Sequence, residues 1–267
     1  MITSSSNANI KYVINLQKKA KARKQEQCFV VEGVRMTLEA PVDLVKVVYV
    51  STSFKEKNRK EYEQVQQVFG RKKVLVEEVT DSIMESMSDT KTPQGILAVV
   101  AMPQYGLVDI LEGRDNPLVI VLDDLQDPGN LGTILRTGEG AGISGVVMSK
   151  NTVDIYNPKV IRSTMGSLYR VPFVYVEDLV TALAQMHSLK FRSYAMHLQG
   201  EKYYDAMDFT GPTAILIGNE GNGLSDAVAN AASEYVKIPM EGQVESLNAA
   251  VSAAIMMYEV SRQRRSK

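Results

Sequence analysis

Three segments in the second half of the chain gather side chains able to bind and transform a small molecule. The first, DDLQDPGNLGTILRTGEGAG, holds an amide, Asn130, and a guanidinium, Arg136, around a helix expected to begin at Pro128–Gly129. Their spacing is less than two helical turns, so an irregular first turn would bring both to one site. The second, ILIGNEGNGLS, places Gly218, Gly221 and Gly223 around Glu220. Glycine permits positive φ and close approach of backbone to a ligand. The third, KIPMEGQVESLNAA, puts Ser246 and Asn248 at the mouth of the last helix. Taken singly, each has a structural explanation, since glycine-rich segments make turns and Ser-x-Asn before a helix is a cap.

Several familiar chemistries are missing. Gly140-x-Gly142-x-x-Gly145 matches the spacing of a dinucleotide fingerprint, but it ends a helix and leads into the strand GVVMS, the reverse of the strand, turn and helix that the fingerprint needs. These glycines are expected to form a helix C-cap and tight turn. No GxxxxGK[ST] loop and no GxSxG elbow occurs. One cysteine, Cys28, cannot form an internal disulfide, and with only His187 and His197 beside it no zinc cluster can be built, so a metal-free protein of a reducing compartment is expected.

The elements that must carry these segments follow from periodicity. In the first hundred residues, Ile10, Val13, Ile14 and Leu16 mark one side of a basic helix. The strands CFVVEG, LVKVVYV, KVLVEEV and ILAVVA then alternate with helices near 34–40, 55–69 and 80–87. This predicts a small α/β sandwich over 1–103. Pro103, Gly106, Gly113 and Pro117 mark a linker at 104–116. Over 117–267, LVIVLDD, GVVMS, VPFVYV, FRSYAM, AILIG and YVKIP are separated by helical segments, which predicts a mostly parallel sheet covered on both faces. Ligands of such sheets bind beyond the carboxyl ends of the strands, where the three segments fall.

Length and composition agree with a folded, two-domain chain. The 267 residues are 45% hydrophobic and 23% charged, which excludes disordered and collagen-like classes. There is no run of about 18 apolar residues and no charged region followed by an apolar one at the N-terminus, so a cytoplasmic protein without membrane attachment is expected. The net charge of −1 hides an asymmetry: residues 1–73 carry 15 Lys and Arg against 7 Asp and Glu, whereas residues 117–267 carry 13 against 16. The cations are densest at Lys18, Lys19, Lys21, Arg23 and Lys24, a candidate phosphate-binding face, although a solvated helix has the same composition.

The order NLGTILRTGEGAG, LIGNEGNGLS and IPMEGQVESLNAAVSAAIMMYE resembles motifs one, two and three of the SpoU (TrmH) family of SPOUT RNA 2′-O-ribose methyltransferases, over all of 117–267. IKYVINLQKKAKARKQEQCFVVEGVRMTLEA is similar to that family's N-terminal substrate-binding domain, itself like ribosomal proteins that bind RNA kinks. The resemblance implies a deep trefoil knot in the C-terminal domain, S-adenosylmethionine as cofactor without a metal, and a homodimer through the knot domain whose partner subunit helps complete the RNA site. It implies that Gly218, Asn219, Gly221, Ile238, Met240, Leu247 and Asn248 contact the cofactor, and that Asn130, Arg136, Glu220, Ser246 and Asn248 serve RNA binding and chemistry. The basic cluster from Lys18 to Lys24 would grip RNA. Large-subunit ribosomal RNA is the expected substrate, because this N-terminal domain type is common in that branch. The alternatives are a tRNA ribose methyltransferase, and a catalytically silent RNA-binding protein or ribosome-targeting antibiotic-resistance factor.

Overall fold

The structure is a computed structural model in which residues 1–265 are described. The chain forms two compact units, Met1–Gln104 with Tyr156–Tyr169, and Tyr105–Ile155 with the chain from Arg170 onward.

The first unit contains α1 (Ala8–Lys18), α2 (Ala20–Glu26), β1 (Cys28–Glu32), α3 (Val34–Leu38), β2 (Val45–Ser51), α4 (Thr52–Lys57), α5 (Arg59–Gly70), β3 (Leu75–Val79), α6 (Asp81–Met87) and β4 (Ile96–Ala101). The strands pair in the order β1-β4-β2-β3, with β4 antiparallel to both neighbours. The helical stripe read from the sequence is buried: Ile10, Val13 and Leu16 pack with Ile83, Met84 and Met87 of α6 on the face formed by Val30, Tyr49, Leu97 and Val99. The polar start of the chain is tied down as well, since Ile2 bridges to Val79 at the edge of the sheet.

Within the basic cluster the structure separates one residue from the rest. Lys18, Lys19, Lys21 and Lys24 are exposed, but Arg23 is only 4% exposed. Its Nη1 donates to the carbonyls of Leu16, at 2.8 Å, and Gln17, at 3.2 Å. The last carbonyls of a helix have no intrahelical donor, and Arg23 supplies one. The expectation that Arg23 meets RNA phosphate is corrected accordingly: its guanidinium is consumed in closing α1.

The second unit contains α7 (Leu107–Leu111), β5 (Leu118–Leu122), α8 (Pro128–Ala141), β6 (Gly145–Ser149), β7 (Phe173–Val176), α10 (Leu179–Ser188), β8 (Arg192–Met196), β9 (Lys202–Tyr203), β10 (Thr213–Ile217), α11 (Asp226–Asn230), β11 (Glu234–Lys237) and α12 (Ala249–Arg265); α9 (Pro158–Thr164) belongs to the first. The strand order is β7-β6-β5-β10-β8-β11-β9, every pair parallel. LVIVL and TAILI, buried at every position, form the centre. Gly142, at φ 78°, ends α8 in a left-handed cap, so the glycines of the apparent fingerprint make a helix stop.

Two stretches differ from the expected division. The expected linker 104–116 carries α7, whose Ile110 and Leu111 are buried in the core of the second unit because the small Gly145 admits Ile110. The excursion 156–169, between β6 and β7, joins the first unit. The Tyr156 ring lies 4.5 Å from that of Phe29, the Tyr169 hydroxyl donates to the Met36 carbonyl at 2.8 Å, and Arg162 pairs with Asp89 at 2.6 Å. Apolar Val160 and Ile161 thereby find burial there.

Arg23→Met should lower the stability of the chain by about 2 kcal/mol, because two charge-assisted bonds to helix-end carbonyls are lost. Lys18→Met should change it by less than about 0.5 kcal/mol. Denaturant melts check this, and equal losses at the two positions would contradict the assignment.

Candidate functional site

The loops after β5, β10 and β11 meet at the carboxyl ends of their strands, and side-chain hydrogen bonds tie them together. Glu220, in the loop after β10, accepts from the backbone N–H of Gln126 at 3.0 Å and of Asp127 at 2.8 Å. It also accepts from Asn130 Nδ2 at 2.9 Å. Asn130 Oδ1 in turn accepts from Asn248 Nδ2 at 2.9 Å, and Asn248 Oδ1 caps α12 by accepting from Ala250 N at 2.9 Å. A single chain of bonds therefore runs from Glu220 through Asn130 and Asn248 to the last helix.

Burial opposes the charge of the Glu220 carboxylate, but the N–H groups of Gln126, Asn130 and Asp127 outweigh it and hold the carboxyl below the ordinary carboxylate range. Glu220 is thus an anchor in its ionised form, unsuited to accept a proton near neutrality.

Asn219 performs a parallel task. Its Nδ2 donates to the Asp124 carbonyl at 2.8 Å, while its Oδ1 accepts from Gly221 N and Asn222 N. Paired backbone bonds of 2.9 Å between Asn219 and Gly223 close the loop on itself. This closure explains Gly218. A Cβ there would lie 2.1 Å from the Gly223 carbonyl carbon, so glycine is demanded by the loop folding back on itself, where the sequence had suggested approach to a ligand.

Beside this network lies a cleft of about 400 Å³. Gly218, Asn219, Glu220, Gly221, Ile238, Met240, Ser246 and Leu247, all singled out from sequence, line it. Asn248 does not; its side chain is spent on Asn130 and the helix cap. Asn130 is buried outside the lining and reaches it through its bond to Glu220. Arg136 is exposed, lies outside the cleft lining, and makes no hydrogen bond or ion pair among the described residues. Because α8 is regular from Pro128, residues six apart face different directions, and the expected convergence of Asn130 and Arg136 near the helix start does not occur within one chain.

Sequence reading missed the opposite wall, Met196 to Gln199 after β8. Its one available signal was its place at the end of another parallel strand, since it lacks the glycine and cap residues that marked the other loops.

The cleft suits a flat, mixed-polarity ligand. Met196, Ile217, Ile238, Met240 and Leu247 supply apolar surface, and the peptide groups of Met240 and Leu247 make no backbone hydrogen bond among the described residues, which leaves them free to bond a ligand edge. Among the described residues no group of His, Cys, Asp and Glu could hold a metal ion, and no helix is long and apolar enough to cross a membrane.

Comparison with known proteins adds an independent line. Residues 117–258 match the SpoU rRNA Methylase family, and residues 7–98 match the MRM3-like substrate binding domain. The chain is 37% identical over 185 residues to a Synechocystis protein named as an uncharacterized tRNA/rRNA methyltransferase, covering 69% of this chain and 66% of that one, just under two thirds. It is 34% identical over 182 residues to the 23S rRNA (guanosine(2553)-2′-O)-methyltransferase RlmP of Bacillus subtilis, covering 68% and 71% of the two chains. Among solved structures, the SpoU methyltransferase AviRb from Streptomyces viridochromogenes, in complex with the cofactor AdoMet, superposes with a TM-score of 0.86 at 28% identity, over 97% of this chain and 99% of that one.

The pH dependence of Glu220 can be worked out in sign. Its lowered pKa makes its stabilising contribution full above the ordinary value of about 4.5 and lost as pH falls through the lowered value. Glu220→Gln should therefore cost about 1 kcal/mol at neutral pH, with the gap to wild type closing in acid. Urea melts across pH 3 to 7 read this gap, and one independent of pH would contradict the anchoring role.

Proposed function

The chain belongs to the SpoU rRNA methylase family, and we propose that it methylates a ribose 2′-hydroxyl of large-subunit ribosomal RNA, using S-adenosylmethionine, as a homodimer through its knotted C-terminal domain. One observation carries this: the residues resembling the family's second and third motifs line one cleft, and Glu220, Asn130 and Asn248 bind that cleft to the first. Ribosomal RNA is favoured by the match of residues 7–98 to a substrate-binding domain and by the likeness to RlmP, whose name states a 23S rRNA target.

When bound, the cofactor supplies an electrophilic methyl group on a sulfonium. Ile238, Met240 and Leu247 would hold its adenine by apolar contact and free peptide groups, while Gly218 to Gly221 form the facing wall. What remains for the protein is alignment of the 2′-oxygen and stabilisation of the charge that develops on it. Arg136 is the side chain suited to that charge. A guanidinium holds its proton and is a poor proton acceptor, so Arg136 would stabilise the alkoxide and an adjoining phosphate, and a phosphate oxygen or water would take the proton. Its exposure, away from the cleft of its own chain, supports a dimer in which each Arg136 serves the partner's cleft. Ser246, exposed on the cleft rim, would orient the ribose, whereas Asn130, Glu220 and Asn248 act through the loops they join. Lys18, Lys19, Lys21 and Lys24 would hold RNA phosphates, with binding weakened by salt.

Arg136→Lys keeps the charge and loses the planar fork. Turnover on ribosomal RNA should fall at least about 100-fold while calorimetric affinity for S-adenosylmethionine stays unchanged. Near-normal turnover with intact RNA binding would overturn the role given to the guanidinium.

A further inference from the structure

The first unit has a cavity of its own, about 430 Å³, lined from α4, α6 and the turn before β4. Two of its exposed side chains reach no hydrogen-bonding or ion-pairing partner, although the Lys57 charge acts at longer range on Asp81. The Lys57 ammonium and the Glu85 carboxylate make no hydrogen bond or ion pair among the described residues, either with each other or with any other group. A third is half committed: Gln94 Oε1 accepts from Val34 N at 3.0 Å, which leaves its Nε2 protons available. Asp81, one helical turn before Glu85, is already engaged, since its Oδ1 accepts from Ser53 Oγ at 2.6 Å and from Ser53 N at 3.2 Å. It contributes fixed negative charge. Phe54 and Met84 are buried beneath it, and half-buried Pro93 offers its apolar face.

This lining selects its ligand. Two carboxylates disfavour a phosphate. A free carboxylate asks for adjacent donors on the ligand, the ammonium and the amide N–H ask for acceptors, and the Pro93 ring asks for a flat body to lie against it. Among the RNA bases, guanine combines adjacent N1–H and N2–H donors on one edge with O6 and N7 acceptors beside them; adenine has no such donor pair. We propose that this cavity holds an unpaired guanine base of the RNA substrate, with Glu85 reading N1–H and N2–H, and Lys57 and Gln94 reading the acceptor edge. The assignment rests on the RNA methyltransferase function proposed above. It would make the first unit a reader of one base in addition to a holder of phosphates.

The test is fluorescence anisotropy of the full chain with three single-stranded RNAs of about twelve nucleotides, uridine throughout except for one central guanosine, inosine or adenosine. Inosine retains N1–H and O6 and lacks the N2 amine. Wild type should bind the guanosine RNA at least about fivefold more tightly than the other two. Glu85→Gln should remove that preference while leaving the affinity for the adenosine RNA, its salt dependence, and the calorimetric affinity for S-adenosylmethionine unchanged. Equal wild-type binding of the three RNAs, or a guanosine preference that survives Glu85→Gln, overturns the cavity assignment alone. Failure to bind any of them overturns the RNA-substrate function together with it.

Discussion

The site depends on one ionised carboxylate holding three loops in place. Glu220 stands beyond the end of a central strand, in a loop that folds back tightly on itself at Gly218. Without its bonds to Gln126, Asp127 and Asn130, the loop after β5 would be tied to that segment by side chains only through Asn219 and through the Asp123 carboxylate, which accepts from Ser225, and Asn130 would lose the partner that orients its amide toward Asn248. Hydrogen bonds to a charged acceptor are shorter and stronger than neutral ones, which suits a junction where backbone cannot pair with backbone. Polar groups in the turns fix the cleft wall together with buried Leu224, which packs into the core of the second unit.

This arrangement divides labour within the second unit. Asn130, Asn219, Glu220 and Asn248 have their polar groups engaged in holding loops, while Ser246 and Arg136 remain uncommitted and exposed. The uncommitted groups are the ones able to meet a substrate. The first unit shows the same contrast among its cations, with Arg23 consumed by a helix end and the neighbouring lysines left in solvent. Charge density along a sequence therefore overstates the charge available to RNA, by the side chains that the fold requires for itself.

Much of the architecture was legible in residue patterns. LVIVL and AILIG are strands because uninterrupted apolar runs bounded by turns fit a sheet buried on both faces, and Ile10, Val13 and Leu16 recur at helical spacing. Gly142 as a helix stop was legible from its context. What spacing along the chain cannot convey is three-dimensional commitment. Nothing local shows that Gly218 meets Gly223, that Arg23 turns inward, or that Arg136 faces away from Asn130. Nor could it show that 156–169 is buried in the first unit, since Val160 and Ile161 would look the same in either. Met196 to Gln199 escaped notice because their contribution to the cleft comes from position at a strand end and not from residue type.

The central claim, transfer of a methyl group to ribosomal RNA with Arg136 at the reacting oxygen, is tested most directly by mapping ribose methylation across total RNA. The comparison is between cells lacking the gene and the same cells complemented with wild type or with Arg136→Ala. One position in large-subunit ribosomal RNA should lose its 2′-O-methyl group in the deletion, regain it with wild type, and stay unmethylated with Arg136→Ala. No change at any position, a change confined to tRNA, or full restoration by Arg136→Ala would contradict the account.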